Sequence, residues 1–248
     1  MKRILVICLF SMVGCQTETI VPSFEYASTS LGIYNSGLIN IGQLFAWDTA
    51  SDTLIRLDQV PFPSEPTSRT QPTALVASDV SALTFNAGVD AAVKAKVSAA
   101  VRDNVSIQVV NGSREDYGSI FTLLSKEIVR KRNELEDVDR NWLLTRAVQP
   151  NSGLLYVLVR GMVTSDKAEL ISKKSADGKL EIAGLGDRGA NVVVDLSRER
   201  LASCVGTRSP CFLSAQVLRA YINEKGNYDF EPIGGISNVK LASLFKTL

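Results

Sequence analysis

The 248-residue chain contains no histidine. Its absence excludes a Ser-His-Asp or Cys-His relay, an imidazole general base and any His-ligated metal within the chain. Cysteine is scarce at four residues and tryptophan scarcer at two. Neither charge is in excess, since 27 basic against 26 acidic side chains leave a formal net of +1. So balanced a chain has no bulk field to draw nucleic acid or another polyanion. What it does have is apolar content: 45% of residues are hydrophobic and 21% charged. That is enough to build a core and too much for a disordered chain. One domain, or two small ones, is the expectation at this length.

The longest apolar run lies at the start. Met1-Lys2-Arg3 is a short cationic opening, and Ile4 to Val13 is nearly unbroken in its apolar character. Such a run is too short to cross a bilayer as a permanent helix but fits the apolar region of a signal peptide. It leads into Ser11-Met12-Val13-Gly14-Cys15, which resembles the lipobox of bacterial lipoproteins, with Met12 standing where leucine is usual. The resemblance covers residues 1–15 only. It implies a signal peptide over residues 1–14 and acyl chains on Cys15, which becomes the new N-terminus. Gln16 is not the aspartate that retains such proteins at the inner membrane, so the resemblance implies the outer membrane, with the body facing the periplasm. More than one acyl chain makes membrane attachment stable. The plainer alternative is an ordinary secretory signal with an incidental cysteine. Removal of residues 1–14 takes Lys2 and Arg3 and no acid, leaving 25 basic against 26 acidic side chains, a net of −1.

Cys8 leaves with the signal, so the body keeps Cys204 and Cys211 beyond the lipidated residue. An isolated pair in an oxidising compartment is expected to be a disulfide. The intervening Val205-Gly206-Thr207-Arg208-Ser209-Pro210 has the residues of a tight loop. The spacing is not C-x-x-C, and no imidazole is available for a metal.

Residues 15–30 carry six Ser/Thr and no sustained period, and are expected to be a tether ahead of a single β-rich domain over 31–248. Residues 42–47 and 53–58 read as a hairpin around Asp48-Thr49-Ala50-Ser51-Asp52. Pro61, Pro63, Pro66 and Pro72, half of the chain's eight prolines, point to an extended surface loop. From Val89 to Val101 every odd position is apolar, the period of a strand, whereas the alanine and lysine content favours helix. The alternation tips the expectation to a strand. Residues 105–110 read as a further strand. One long amphipathic helix is expected over about 114–136, capped by Ser113 and Asp116, with Tyr117, Ile120, Phe121, Leu124, Ile128 and Leu135 on its apolar face. Its other face, with Lys126, Arg130, Lys131 and Arg132 among glutamates, reads as solvated. From residue 154 the pattern is almost entirely strand, with an Asp177-Gly178 hairpin signal and a possible short C-terminal helix over 238–246. The fold class is α+β, mainly antiparallel sheet.

No motif carries an activity. Gly184-Leu185-Gly186-Asp187-Arg188-Gly189 matches G-x-G-x-x-G, but a strand pattern follows where a pyrophosphate site needs a helix N-terminus. Ser237-Asn238-Val239-Lys240 and Ser243-Leu244-Phe245-Lys246 match S-x-x-K without the companion boxes of penicillin-binding enzymes. Asp137-Val138-Asp139 lacks the remaining positions of a calcium loop. No catalytic, cofactor or metal residue is therefore named, and no cofactor is expected. The expectation is a non-enzymatic envelope lipoprotein that binds or scaffolds another envelope component, through strand addition to a sheet edge, the Pro-rich loop, or both. The alternatives are a wall glycan or peptide hydrolase using carboxylates, and membrane insertion through residues 83–110. The expected partners are the membrane and an envelope protein, with no role for nucleic acid.

Overall fold

The computed structural model describes residues 18–20, 22–35, 39–63, 66–77, 80–85, 91–118, 120–173, 178–182, 192–196, 200–246 and 248. The leader, Cys15 and the 184–189 glycine motif lie outside them. Strands β1 (Glu18–Ile20), β2 (Pro22–Thr29) and β3 (Gly32–Tyr34) precede a hairpin of β4 (Gln43–Asp48) and β5 (Thr53–Gln59). Then come β6 (Ser68–Ala77), β7 (Val80–Phe85), α1 (Ala91–Asn104), β8 (Val105–Asp116) and α2 (Ile120–Asn133). The one-turn helices α3 (Val138–Asn141) and α4 (Leu144–Ala147) lead to β9 (Leu154–Ser172), β10 (Lys179–Ile182) and β11 (Val192–Asp195). The described chain closes with β12 (Arg200–Ile222), β13 (Tyr228–Pro232) and α5 (Asn238–Phe245). Strand accounts for 52% and helix for 22%, which makes the fold mostly antiparallel sheet with several short helices.

Two strands organise the rest. β9 has 19 residues and β12 has 23, so the ribbon they form is roughly 60 Å long at the rise of a strand. They pair antiparallel from Tyr156–Leu218 to Ile171–Arg200. The outer edge of β9 takes β4 along Leu154–Leu158 and β8 along Gly161–Ser172. The outer edge of β12 takes β3 at Phe212 and Leu213 and β13 along Leu218–Ile222. At the changeover on β9, Gly42 N–H donates to Val159 O (2.8 Å) and Tyr117 N–H to Arg160 O (3.0 Å). The ten-stranded sheet runs β5-β4-β9-β12-β3-β2-β7, with β13 added to β12 and β6-β8 to β9. A separate sheet of three strands, β1-β11-β10, has β1 parallel to β11.

Alternation along these strands builds the core, because successive side chains leave opposite faces. Phe45, Trp47, Val157, Val159, Leu213 and Val217 meet Leu241, Leu244 and Phe245 of α5. Their neighbours Leu44, Ala46, Tyr156, Leu158 and Leu218 meet Ile120, Leu124 and Ile128 of α2, with Trp142 and Leu144 beyond. At the far end of the ribbon, Val97 and Val101 of α1 and Leu180, Val192 and Val194 of the small sheet cover Ile107, Leu170 and Phe212. Four strands separate β5 from β2 in the sheet order, yet α5 packs on both. The sheet therefore curls around α5.

Several expectations need correction. Residues 18–20 and 22–29 of the supposed tether are strand, with Phe24, Ala27 and Ser28 buried. Residues 91–104 are helix, so the strand expected over 89–101 is overturned. Five alanines favour the helix, and Val97 and Val101, one turn apart, are fully buried while Lys96 is exposed. No long helix spans 114–136. Ser113 and Asp116 are ladder residues of β8, opposite Thr164 and Gly161, and α2 begins only at Ile120. Leu135 follows the helix at positive φ and is 94% exposed. The Pro-rich stretch is not all loop, because Pro72 lies within β6; the β6–β8 register shifts between Thr70 and Thr73, around a residue with no N–H to give the ladder. β10 pairs with β11 rather than with β9 across Asp177-Gly178. Among the described residues no helix is long and apolar enough to cross a membrane.

The charged face of α2 is only partly solvated, since Glu127 and Lys131 are buried. Lys131 Nζ bonds Asp58 Oδ2 (2.9 Å) and Glu136 (2.8 Å), and Trp142 Nε1 donates to the same Asp58 oxygen (3.1 Å). Tyr156 Oη donates to Trp142 O (2.7 Å), which ties the network to β9. Burial disfavours the Asp58 carboxylate, but the bonds from Lys131, the Gln59 N–H and Trp142 outweigh it and hold the group below its ordinary range. Burial likewise disfavours the Lys131 ammonium, and Glu136 and Asp58 more than compensate.

Two outcomes follow. A Cβ at Gly161 would collide with Asp116 Oδ1 and would lie 2.5 Å from Ser214 Oγ and 3.0 Å from Glu115 O. Gly161→Ala should therefore cost about 1–3 kcal/mol in urea unfolding, and a neutral result would show that the ribbon yields there. Asp58→Asn should cost about 1–3 kcal/mol at neutral pH. A depressed carboxylate stabilises above its unfolded value and loses that contribution as pH falls through its folded value, so the gap between variant and wild type should narrow progressively as pH falls below about 4. A gap as wide at low pH as at neutral pH would show that packing, not charge, is lost.

Candidate functional site

The curled sheet does not close, and its seam is a cleft of about 730 Å3 between β2, β5 and the end of α5. β2 reaches it through a wide bulge: Ser23 pairs with Thr84 and Ser28 with Ala82, so four residues on β2 span one on β7. Within the bulge Tyr26 has φ +54°, a left-handed conformation that costs a residue bearing a Cβ about 1–2 kcal/mol. Its ring stacks on Phe245 with centroids 6.1 Å apart. β5 supplies Arg56, just past the register shift that separates it from Asp58. Helix α5 starts because Ser237 Oγ accepts the Lys240 N–H (3.2 Å), and it ends on Lys246 at the cleft.

Two cations therefore face one space with Glu25 and the Tyr26 ring. Among the described residues neither Arg56 nor Lys246 has an ion-pair or hydrogen-bond partner. Burial pulls the Lys246 ammonium below its ordinary value, and the charge of Glu25 opposes this only in part. Burial raises the Tyr26 phenol, Glu25 raises it further, and Arg56 acts against both. Several cations elsewhere are paired with carboxylates: Arg130 with Glu127 and Glu134, Arg132 with Asp139, Arg146 with Asp48 and Lys240 with Asp52.

Apart from Cys15 and the 184–189 motif, which lie outside the described residues, the residues singled out in the sequence hold structural positions. Cys204 and Cys211 form the expected disulfide, with Cα atoms 5.6 Å apart and both cysteines buried. It closes an excursion inside β12 rather than a free loop, since Val205 pairs with Lys167 and Ser209 with Ser165, leaving Asp166 alone opposite residues 206–208. Asp166 accepts from the Arg208 N–H (3.2 Å) and from Asn111 Nδ2 (2.8 Å). Ser237 is the cap of α5, Ser243 Oγ donates to Lys240 O (2.7 Å), and Lys240 lies over the Trp47 ring. Neither S-x-x-K serine faces a lysine amine as its base. Asp137 caps α3. Among the described residues no three metal-ligating side chains come together.

Carboxylate chemistry needs one acid whose pKa is raised. Among the described residues the carboxylates that depart clearly from their ordinary range all move down. Arg146 and two backbone N–H groups hold Asp48 there, Lys240 holds Asp52, and Asn111 with the Arg208 N–H holds Asp166. These are anchors for cations and turns. Sequence reasoning missed Arg56, Tyr26 and Glu25, which carry no motif; Lys246 was visible, but as half of a serine–lysine pair. Compared with known protein families and with curated proteins, the chain matches none.

For a loop of this length the disulfide should contribute about 2–3 kcal/mol. The double variant Cys204→Ala/Cys211→Ala should lose that much in urea unfolding under oxidising conditions and become indifferent to dithiothreitol. Equal stability would show that the bonds to Asp166 hold the excursion without it.

Proposed function

We propose that this is a bacterial outer-membrane lipoprotein, anchored through acyl chains on Cys15, whose body is a non-enzymatic module that binds or scaffolds another envelope component. The observation that favours binding is the outer edge of β5. Among the described residues this seven-residue strand pairs only with β4, and Ile55 on it is 43% exposed. An unpaired strand edge is a template for another strand, with main-chain bonds giving affinity and alternate side chains giving selectivity. Arg56 and Asp58 on the same strand discourage edge-to-edge pairing between copies. An extended segment of an envelope protein is the occupant this edge suits.

Cross-linking the full chain in its native envelope and recovering it by affinity should yield a stoichiometric protein partner. Cys15→Ala should abolish capture by detaching the anchor. Ile55→Lys should leave the anchor and weaken capture severalfold. Recovery of the protein alone, or capture indifferent to both substitutions, would overturn the reading.

A further inference from the structure

The seam cleft supports an inference that does not depend on the anchor or on the protein partner. We infer that the cleft binds an oxyanion bearing an apolar group, the anion on Arg56 and Lys246 and the apolar part along Tyr26 and Leu248. Both cations line one cavity of about 730 Å3, within the size range of small-molecule sites. Lys246 is the more telling of the two. A partly buried ammonium loses hydration, and folded proteins ordinarily restore the loss with a counter-charge or hydrogen bonds. Among the described residues the structure supplies only Glu25 at a distance, while Arg130, Lys131 and Arg132 of α2 each have a carboxylate in contact. An anion entering the cleft would be that missing partner.

The rest of the cleft selects for more than charge. The wide bulge in β2 and the left-handed Tyr26 bring an aromatic face to the cavity at a cost in backbone strain. Leu248, 49% exposed, lies at the same site. Inorganic phosphate would use the cations and leave these surfaces wet. Glu25 sets a limit in the other direction, since it repels an anion and disfavours ligands of high charge. A single carboxylate or phosphate monoester on an aliphatic or aromatic group fits both conditions, whether it is a free small molecule or an anionic lipid headgroup.

The test uses the purified full chain with hexanoate, hexyl phosphate and neutral hexanol, binding being followed by ligand-observed nuclear magnetic resonance and calorimetry. Saturable binding of at least one of the two anions, and not of hexanol, is expected. Arg56→Gln/Lys246→Gln should weaken it about tenfold or more. Glu25→Gln should tighten it about threefold, and because this is a gain, a misfolded variant cannot imitate it. Cosedimentation with phosphatidylglycerol vesicles, against phosphatidylcholine alone, separates the sources: dependence on Arg56 and Lys246 there assigns a lipid headgroup, and soluble binding without it assigns a free anion. Failure of both anions to saturate, equal affinity for hexanol, or an affinity unmoved by all three substitutions would overturn the inference. Such a failure would leave partner capture by the β5 edge untouched, and loss of that capture would not affect the cleft.

Discussion

The fold depends on one length of pairing. β9 and β12 are bonded to each other along nearly their whole extent, and each lends its outer edge to two different strands in turn. A ribbon used this way needs a point on each strand where one neighbour stops and the next begins. On β9 that point is Val159 to Gly161, where successive carbonyls accept from Gly42 and Tyr117. On β12 the register slips between Ser214 and Ala215. Gly161 is where the crowding falls, with Asp116 and Ser214 side chains too close for a Cβ. Glycine in a strand interior ordinarily weakens it; here it permits the two halves of the molecule to share one backbone.

The curl around α5 follows from that arrangement. With β4 and β5 added at one edge of the ribbon and β3 and β2 at the other, a twisted sheet wraps toward the side where a helix fills the hollow. Leu241, Leu244 and Phe245 fill it. A single eight-residue helix is enough to cover the concave face but not to let the outermost strands meet. The seam is what remains, and the outer edge of β5 with the Arg56–Lys246 cleft are two consequences of the same incomplete closure.

Where the sequence was legible, a short-range rule governed the element. The β4–β5 hairpin was readable because its turn residues are local, and α5 because Leu241, Leu244 and Phe245 fall on one side of a helix. The disulfide followed from counting cysteines. The failures share a cause in tertiary context. Alternation from Val89 to Val101 fits a strand, but a helix of small residues needs only Val97 and Val101 to face a core, and that core joins the neighbouring β8 to residues as far along the chain as Val192 and Phe212. Ser113 and Asp116 look like a cap until β9 claims them as ladder partners. The cleft was illegible for the same reason, because Tyr26, Arg56 and Lys246 are brought together by the curl and share no spacing.

The early start of β1 also changes where the body would sit. With Glu18 already paired to Val192, only residues 16 and 17 separate Cys15 from the fold. Glu18 is three residues from Cys15, a span of at most about 11 Å, so an acylated Cys15 would hold the β1-β11-β10 sheet against the headgroups rather than at the end of a long tether. Tyr26 is eleven residues from Cys15, so the proposed anchor would keep the seam within roughly 40 Å of the lipid surface however the chain runs. At that range partner and ligand would be drawn from the layer next to the membrane. A segment extending along β5 and an anionic amphiphile entering the cleft are both ligands that such a layer can present.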